Sequence, residues 1–375
     1  MRPLDRPLYV TRPQLPPLEK LLPMLQDIWQ RAVVTNGGPY HERFEAALAT
    51  YLGLEHVSLF TNATIALLVA LRQQGVSGEV ITTPFSFVAT AHAIKWCGAE
   101  PVFVDIDRRT LNLDPAGIEA AITPKTSAIL PVHCYGHPCD VEAIEGNARR
   151  HGLKVIYDAA HAFGVRRGGH SLLDHGDLAV LSFHATKVFN TFEGGAIVCR
   201  DAASRHAVEQ LKNFGIVDEE QVDAIGLNGK MSEFNAALGL LQLEDVDEAI
   251  ARRGDVHARY RSALADVPGI AVIDSGNGAD HNFSYCPILV EPPFALSRDS
   301  LYERLKTQGI YTRRYFYPLL SSLPMYRQLP SAAAERLPVA TWAAAHVLCL
   351  PIFPSLQPAA QDVVIDAIRA CGSPP

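Results

Sequence analysis

Short apolar runs alternate with longer amphipathic stretches along most of this chain. Residues 154–157 and 179–183 are apolar and rich in β-branched or aromatic side chains with no polar alternation, the pattern of strands buried on both faces. Residues 79–82, 101–105 and 128–132 read the same way, and helix-length segments such as 87–96 and 140–151 lie between them. That alternation predicts an α/β domain built on a mostly parallel sheet. Further on, a helical pattern covers 231–243, a linker is expected near 249–254, and a strand at 286–290 is punctuated by Gly276-Asn277-Gly278 and Glu291-Pro292-Pro293. The chain therefore divides into a large domain, 1–248, and a smaller C-terminal α/β domain, 249–375.

Two of the strand-like runs carry chemistry at their ends. Asp158 follows the first and Lys187 lies just beyond the second, within Ser182-Phe183-His184-Ala185-Thr186-Lys187. In a parallel sheet both side chains emerge at the carboxyl edge, where open α/β folds place their ligands. A lysine and an aspartate so placed suit pyridoxal phosphate (PLP): the amine joins the cofactor aldehyde, and the carboxylate keeps the pyridine nitrogen protonated.

Composition narrows the field. With 375 residues, 48% apolar and 19% charged, the chain reads as folded throughout and large enough for two domains. A net charge of -7 argues against nucleic acid as a bulk electrostatic partner. The first seven residues lack the apolar core of a signal peptide, and no segment is long and apolar enough for a membrane span, so a cytoplasmic protein is expected. Seven scattered cysteines read as reduced core residues.

Other segments gain meaning only beside this pair. Residues 56–60, 61–64 and 65–72 read as strand, capped turn and helix, an arrangement able to hold a phosphate but common to α/β proteins. Phe87 follows a further strand end, and Glu193-Gly194-Gly195 reads as a tight turn before a strand at 196–199. The cluster His133-Cys134 to His137-Pro138-Cys139 invites a metal reading, but its spacing fits no zinc signature and no metal is expected. A nicotinamide oxidoreductase on a similar sheet would need a glycine-rich fingerprint that is missing here.

Taken together, Thr35-Asn36-Gly37-Gly38-Pro39, Asn62 to Leu67, Asp158-Ala159-Ala160-His161-Ala162, Ser182 to Lys187, Glu193-Gly194-Gly195 and Gly226 to Met231 resemble the DegT/DnrJ/EryC1/StrS sugar aminotransferases. The resemblance spans about residues 35–352. It implies a fold-type I PLP enzyme with a seven-stranded sheet, Lys187 as the cofactor lysine and Asp158 at the pyridine nitrogen. Phe87 is implied to stack on the ring and His161 to lie near its phenolic oxygen. The phosphate cradle is implied to comprise Thr64, the amides of Ala63 and Ile65, and Ser182. Asn228 is implied to reach the phosphate of the partner subunit, which makes a homodimer with shared active sites.

Two departures stand out: Ala63 occupies a usual glycine position, and Lys230 a position commonly held by arginine. Lysine at 187 separates the chain from related dehydratases, which carry histidine there. The implied reaction transfers an amino group from glutamate to C4 of a nucleotide-linked 4-keto-6-deoxyhexose, dTDP-4-keto-6-deoxyglucose, on the way to an amino sugar of a surface polysaccharide (O-antigen) or secondary metabolite. Lys230 and Arg313 are candidate contacts for the substrate diphosphate. The alternatives are a C3 aminotransferase acting on a dTDP-3-keto-6-deoxyhexose and a PLP-fold binding or regulatory protein without turnover.

Overall fold

The computed structural model describes residues 6–274 and 278–372. Gly276 and Asn277 of the expected turn lie outside the described residues, as do the first five. The chain opens with strand β1 (Leu8–Tyr9) and helices α1 (Leu18–Arg31) and α2 (Pro39–Leu52). Strands and helices then alternate: β2 (Val57–Phe60), α3 (Ala63–Gln73), β3 (Glu79–Thr82), α4 (Val88–Trp96), β4 (Glu100–Phe103), α5 (Ile118–Ala121), β5 (Thr126–Leu130), α6 (Val141–His151) and β6 (Lys154–Asp158). The short pair β7 (Arg166–Arg167) and β8 (His170–Ser171) precedes β9 (Leu178–Ser182), β10 (Gly195–Cys199), α7 (Ala202–Lys212) and the long α8 (Glu233–Leu264). The rest comprises β11 (Ile270–Val272), β12 (Ala279–Asp280), β13 (Cys286–Val290), α9 (Arg298–Thr307), β14 (Ile310–Tyr311), α10 (Pro338–His346), β15 (Val347–Leu350) and α11 (Pro358–Gly372).

Seven strands form the expected large sheet in the order β2-β10-β9-β6-β5-β3-β4. All its strands run in one direction except β10, which is antiparallel to both neighbours. Alternate residues feed opposite faces. Leu59, Ile81, Ile129, Val155, Tyr157 and Leu181 join the core beneath α1, α2, α6 and α8, whereas Phe60, Val80, Leu130, Ile156 and Val180 pack under α3, α4 and α7. Burial on both faces explains why these strands were legible as continuous apolar runs.

The linker expected at 249–254 is helical. α8 continues for 32 residues through it. Gly254 is a packing residue, since a Cβ there would come within 3.0 Å of the Phe283 ring. Arg253 is 2% exposed, and its Nη1 donates to the carbonyls of Phe283, Ser284 and Ile352 at 3.3–3.4 Å. A buried cation needs such partners. Segments distant in sequence are also stitched together: β1 pairs in parallel with β14, and β12 pairs with β7. A separate three-stranded sheet, β11-β13-β15, organises the C-terminal core.

Candidate active site

Because β2, β3, β5, β6 and β9 share one direction, their carboxyl ends open on one edge of the sheet. There a cleft of about 260 Å³ brings together Ala63, Thr64, Phe87, Asp158, His161, Ser182 and Lys187. Tyr285, Tyr315 and Phe316 close it from the C-terminal part.

Asp158 ends β6 and is 6% exposed. Its Oδ2 accepts from the Thr90 hydroxyl at 2.8 Å, and its Oδ1 accepts from the Ala160 amide at 3.2 Å. Burial raises its pKa; the two hydrogen bonds and the Lys187 charge pull the other way. A buried carboxylate with a net raised pKa still lacks cationic compensation, which the protonated ring nitrogen of PLP would supply. Lys187 opens onto the cleft yet is ringed by protein, and this desolvation lowers its pKa to about 8 despite the favourable influence of Asp158 and Cys134.

The ring of His161 is fixed. Its Nδ1 accepts the Tyr135 amide N–H at 3.1 Å. Burial, and secondarily Lys187, hold its proton affinity well below the ordinary value. With Nδ1 an acceptor on a neutral ring, the assigned tautomer carries its proton on Nε2. Tyr135 adopts φ 59°, a left-handed conformation costly for a non-glycine residue, and so directs its amide at the imidazole. Phe87, by contrast, is 58% exposed although it follows a buried strand end. A large apolar face left bare at a cleft wall is suited to stacking on a planar ligand.

At the amino end of α3, Asn62 Oδ1 accepts the Ile65 amide at 2.9 Å. That corrects one expectation: the Ile65 amide is already engaged, and residue 65 does not line the cleft. The amides of Ala63 and Thr64 donate to no acceptor among the described residues. Free donors at a helix N-terminus are groups able to hold an anion, and Ser182 also lines the cleft. The glycines at 194 and 195 do not make the turn, since the left-handed residue is Phe192 at φ 63°. Gly195 is needed for close approach, as a Cβ there would sit 2.8 Å from the Ala63 nitrogen.

The remaining expected residues lie elsewhere in the chain. Lys230 lines a separate hollow of about 370 Å³ with His206 and Lys212, its Nζ bonded to Asn213 Oδ1 at 2.7 Å. Asn228 and Arg313 are exposed and do not line the cleft. In the former metal candidate, His133 Nδ1 accepts from the Cys139 amide at 3.1 Å and the ring stacks on Tyr157 at 4.7 Å. Sequence reasoning missed Thr90 and Tyr135; neither carries a local signal, for only the fold brings them to Asp158 and His161.

The DegT/DnrJ/EryC1/StrS aminotransferase family model matches residues 18–369. The chain is 52% identical over 366 residues to the dTDP-4-amino-4,6-dideoxy-D-glucose transaminase of Shigella dysenteriae, covering 98% of this chain and 99% of that one. It is 51% identical over 362 residues to the Escherichia coli protein of the same name, covering 96% and 97%. Its fold matches the crystal structure of DesI in the presence of its TDP-sugar product with a TM-score of 0.94 at 39% identity, over 99% of this chain and 94% of the other. The family match and the 51–52% identity over nearly the full length agree: the chain belongs to the DegT/DnrJ/EryC1/StrS aminotransferase family of PLP-dependent enzymes.

Proposed function

We propose that this chain transfers the amino group of glutamate to C4 of dTDP-4-keto-6-deoxyglucose, giving a dTDP-linked 4-amino-4,6-dideoxy sugar. The observation that carries this reading is the 51–52% identity, over nearly the whole chain, to transaminases named for that C4 amino sugar.

PLP, when bound, carries the amino group between donor and acceptor and takes up the electron pair released as a substrate proton leaves. The protein's share is holding and proton transfer. Asp158, oriented by Thr90 and Ala160, would hold the ring nitrogen. The Ala63 and Thr64 amides with Ser182 would hold the phosphate, Phe87 would cover one ring face, and His161 would donate Nε2–H to the phenolic oxygen.

Lys187 would move the proton at the reacting carbon, which requires a neutral amine for part of each cycle. Its pKa, lowered to about 8, brings the neutral amine within reach near physiological pH. Desolvation thus prepares a base near physiological pH.

The assembled enzyme is read as a homodimer in which Asn228 completes the partner's phosphate site, with Lys230 and Arg313 available to a substrate diphosphate. Support comes from residues 214–225, where Phe214, Ile216, Val217, Val222 and Ile225 are all exposed, Ile225 to 82%. So many bare apolar side chains on one short segment mark an interaction surface. Product NMR after incubating holoenzyme with glutamate and dTDP-4-keto-6-deoxyglucose tests the regiochemistry. Nitrogen at C4 supports the reading; nitrogen at C3, or no amino sugar, contradicts it.

A further inference from the structure

His161 is fixed from two sides, by the Tyr135 amide at its ring and by Asn282 and Ser284 at its main chain. The turn at Ala160–Phe163 lies one residue beyond Asp158: its Ala160 amide donates to the Asp158 carboxylate, and its main chain sets where the imidazole points. Asn282, 1% exposed, lies in the segment between β12 and β13 and reaches this turn. Its Nδ2 donates to the carbonyl oxygens of His161 and Phe163, each at 2.8 Å. Its Oδ1 accepts from the Ser284 amide at 3.0 Å. The Ser284 hydroxyl then donates to the same His161 carbonyl at 2.7 Å. The donors and acceptor of this carboxamide are all satisfied in a single orientation, which makes a rigid clamp.

The fit leaves no slack. Gly136, at φ 87°, is pressed so closely that a Cβ there would come within 2.8 Å of both Asn282 Oδ1 and the His161 carbonyl. The neighbouring Tyr135 supplies the amide that binds His161 Nδ1, and Tyr285 packs edge-on against the imidazole with centroids 4.9 Å apart. The titratable groups facing the ring are Lys187, Tyr135 and Tyr285. None of these contacts fixes the main chain of residue 161. That task falls to Asn282 and Ser284.

We propose that Asn282, assisted by Ser284, is a positioning residue that holds the backbone of His161 so that its Nε2–H is aimed at the cofactor's phenolic oxygen. The inference rests on the reading of His161 given above and adds to it a clamp from the C-terminal part of the chain. Asn282 itself touches no reacting atom.

The test is the pH titration of the holoenzyme's visible absorbance, a property of the bound cofactor that does not depend on turnover. Losing a donor to the phenolic oxygen makes that oxygen more basic, so the midpoint should move up by roughly 0.5 to 1 pH unit. The variants are His161→Leu, Asn282→Ala, Ser284→Ala and the His161→Leu/Asn282→Ala pair. Asn147→Ala serves as a control, because Asn147 is another buried asparagine donating to two carbonyls, those of Pro115 and Ala143. The expected result is an upward move in His161→Leu, a move in the same direction in Asn282→Ala, none in Asn147→Ala, and nothing further in the pair. An Asn282→Ala midpoint equal to wild type beside a shifted His161→Leu overturns the clamp alone. If His161→Leu also titrates like wild type, the reading of His161 falls with it. A further move in the pair overturns action through His161. Should Asn282→Ala fail to fold, Ser284→Ala is judged by the same outcomes.

Discussion

Replacing Lys187 with methionine should stabilise the cofactor-free protein while abolishing its chemistry. The side chains are similar in length, so the change removes a desolvated charge and leaves packing nearly intact. Burial draws the lysine from 10.5 to about 8, and at about 1.4 kcal/mol per pKa unit this corresponds to a ceiling of about 3 kcal/mol. The sign follows from proton binding. Well below about 8 the lysine is charged whether the chain is folded or not, and the folded state bears the full desolvation penalty. As pH rises toward 10.5 the folded state sheds its proton first, and the penalty fades. Unfolding 375 residues carries an entropy of about 0.8 kcal/mol per degree, so Lys187→Met should melt roughly 2–4 °C higher at pH 7. The assay is thermal unfolding of cofactor-free wild type and variant at equal concentration from pH 6 to 10. A variant that melts no higher at pH 7, or an advantage that does not shrink with rising pH, would refute the desolvation argument.

Three further outcomes follow. Asp158→Asn should also stabilise the cofactor-free chain at neutral pH: its carboxyl is raised by burial, so wild-type stability falls as pH climbs through the raised value. Its transamination rate should drop by about a hundredfold or more. Comparative melting and glutamate turnover check both halves. Phe87→Ala should leave melting unchanged, since the ring is already 58% exposed, yet weaken cofactor binding by roughly 3- to 10-fold in an equilibrium titration. Finally, Asn228→Asp and Lys187→Ala, each inactive or impaired alone, should on mixing and subunit exchange recover about a quarter of wild-type activity, the share expected if random dimers rebuild one good site in half the population. No recovery despite demonstrated exchange would place Asn228 in its own protomer's site.

What the sequence disclosed was chiefly what is buried on two faces. Glu79–Thr82 and Cys286–Val290 were read with the bounds they have in the structure, because continuous apolar runs survive any rearrangement of their surroundings. Asp158 and Lys187 were legible because strand ends at a parallel edge converge by topology. The misreadings came from side chains whose meaning is tertiary. Gly254 looked like punctuation until Phe283 supplied the reason for its small size. Arg253 looked like linker surface until three distant carbonyls surrounded it. The family resemblance implies the Ile65 amide as a phosphate donor, but Asn62 caps it locally. Thr90, Tyr135 and Asn282 had no signal to read, for their partners lie 68, 26 and 121 residues away.

Lys187-dependent transamination at C4 is tested by transfer of isotopically labelled amino nitrogen from glutamate to the sugar nucleotide, followed by NMR in wild type and in Lys187→Ala, with PLP present throughout. The expected result is label on sugar C4 in wild type and none on the sugar in the variant. Label reaching the sugar equally without Lys187, or no transfer from a wild-type protein that binds PLP, would contradict it.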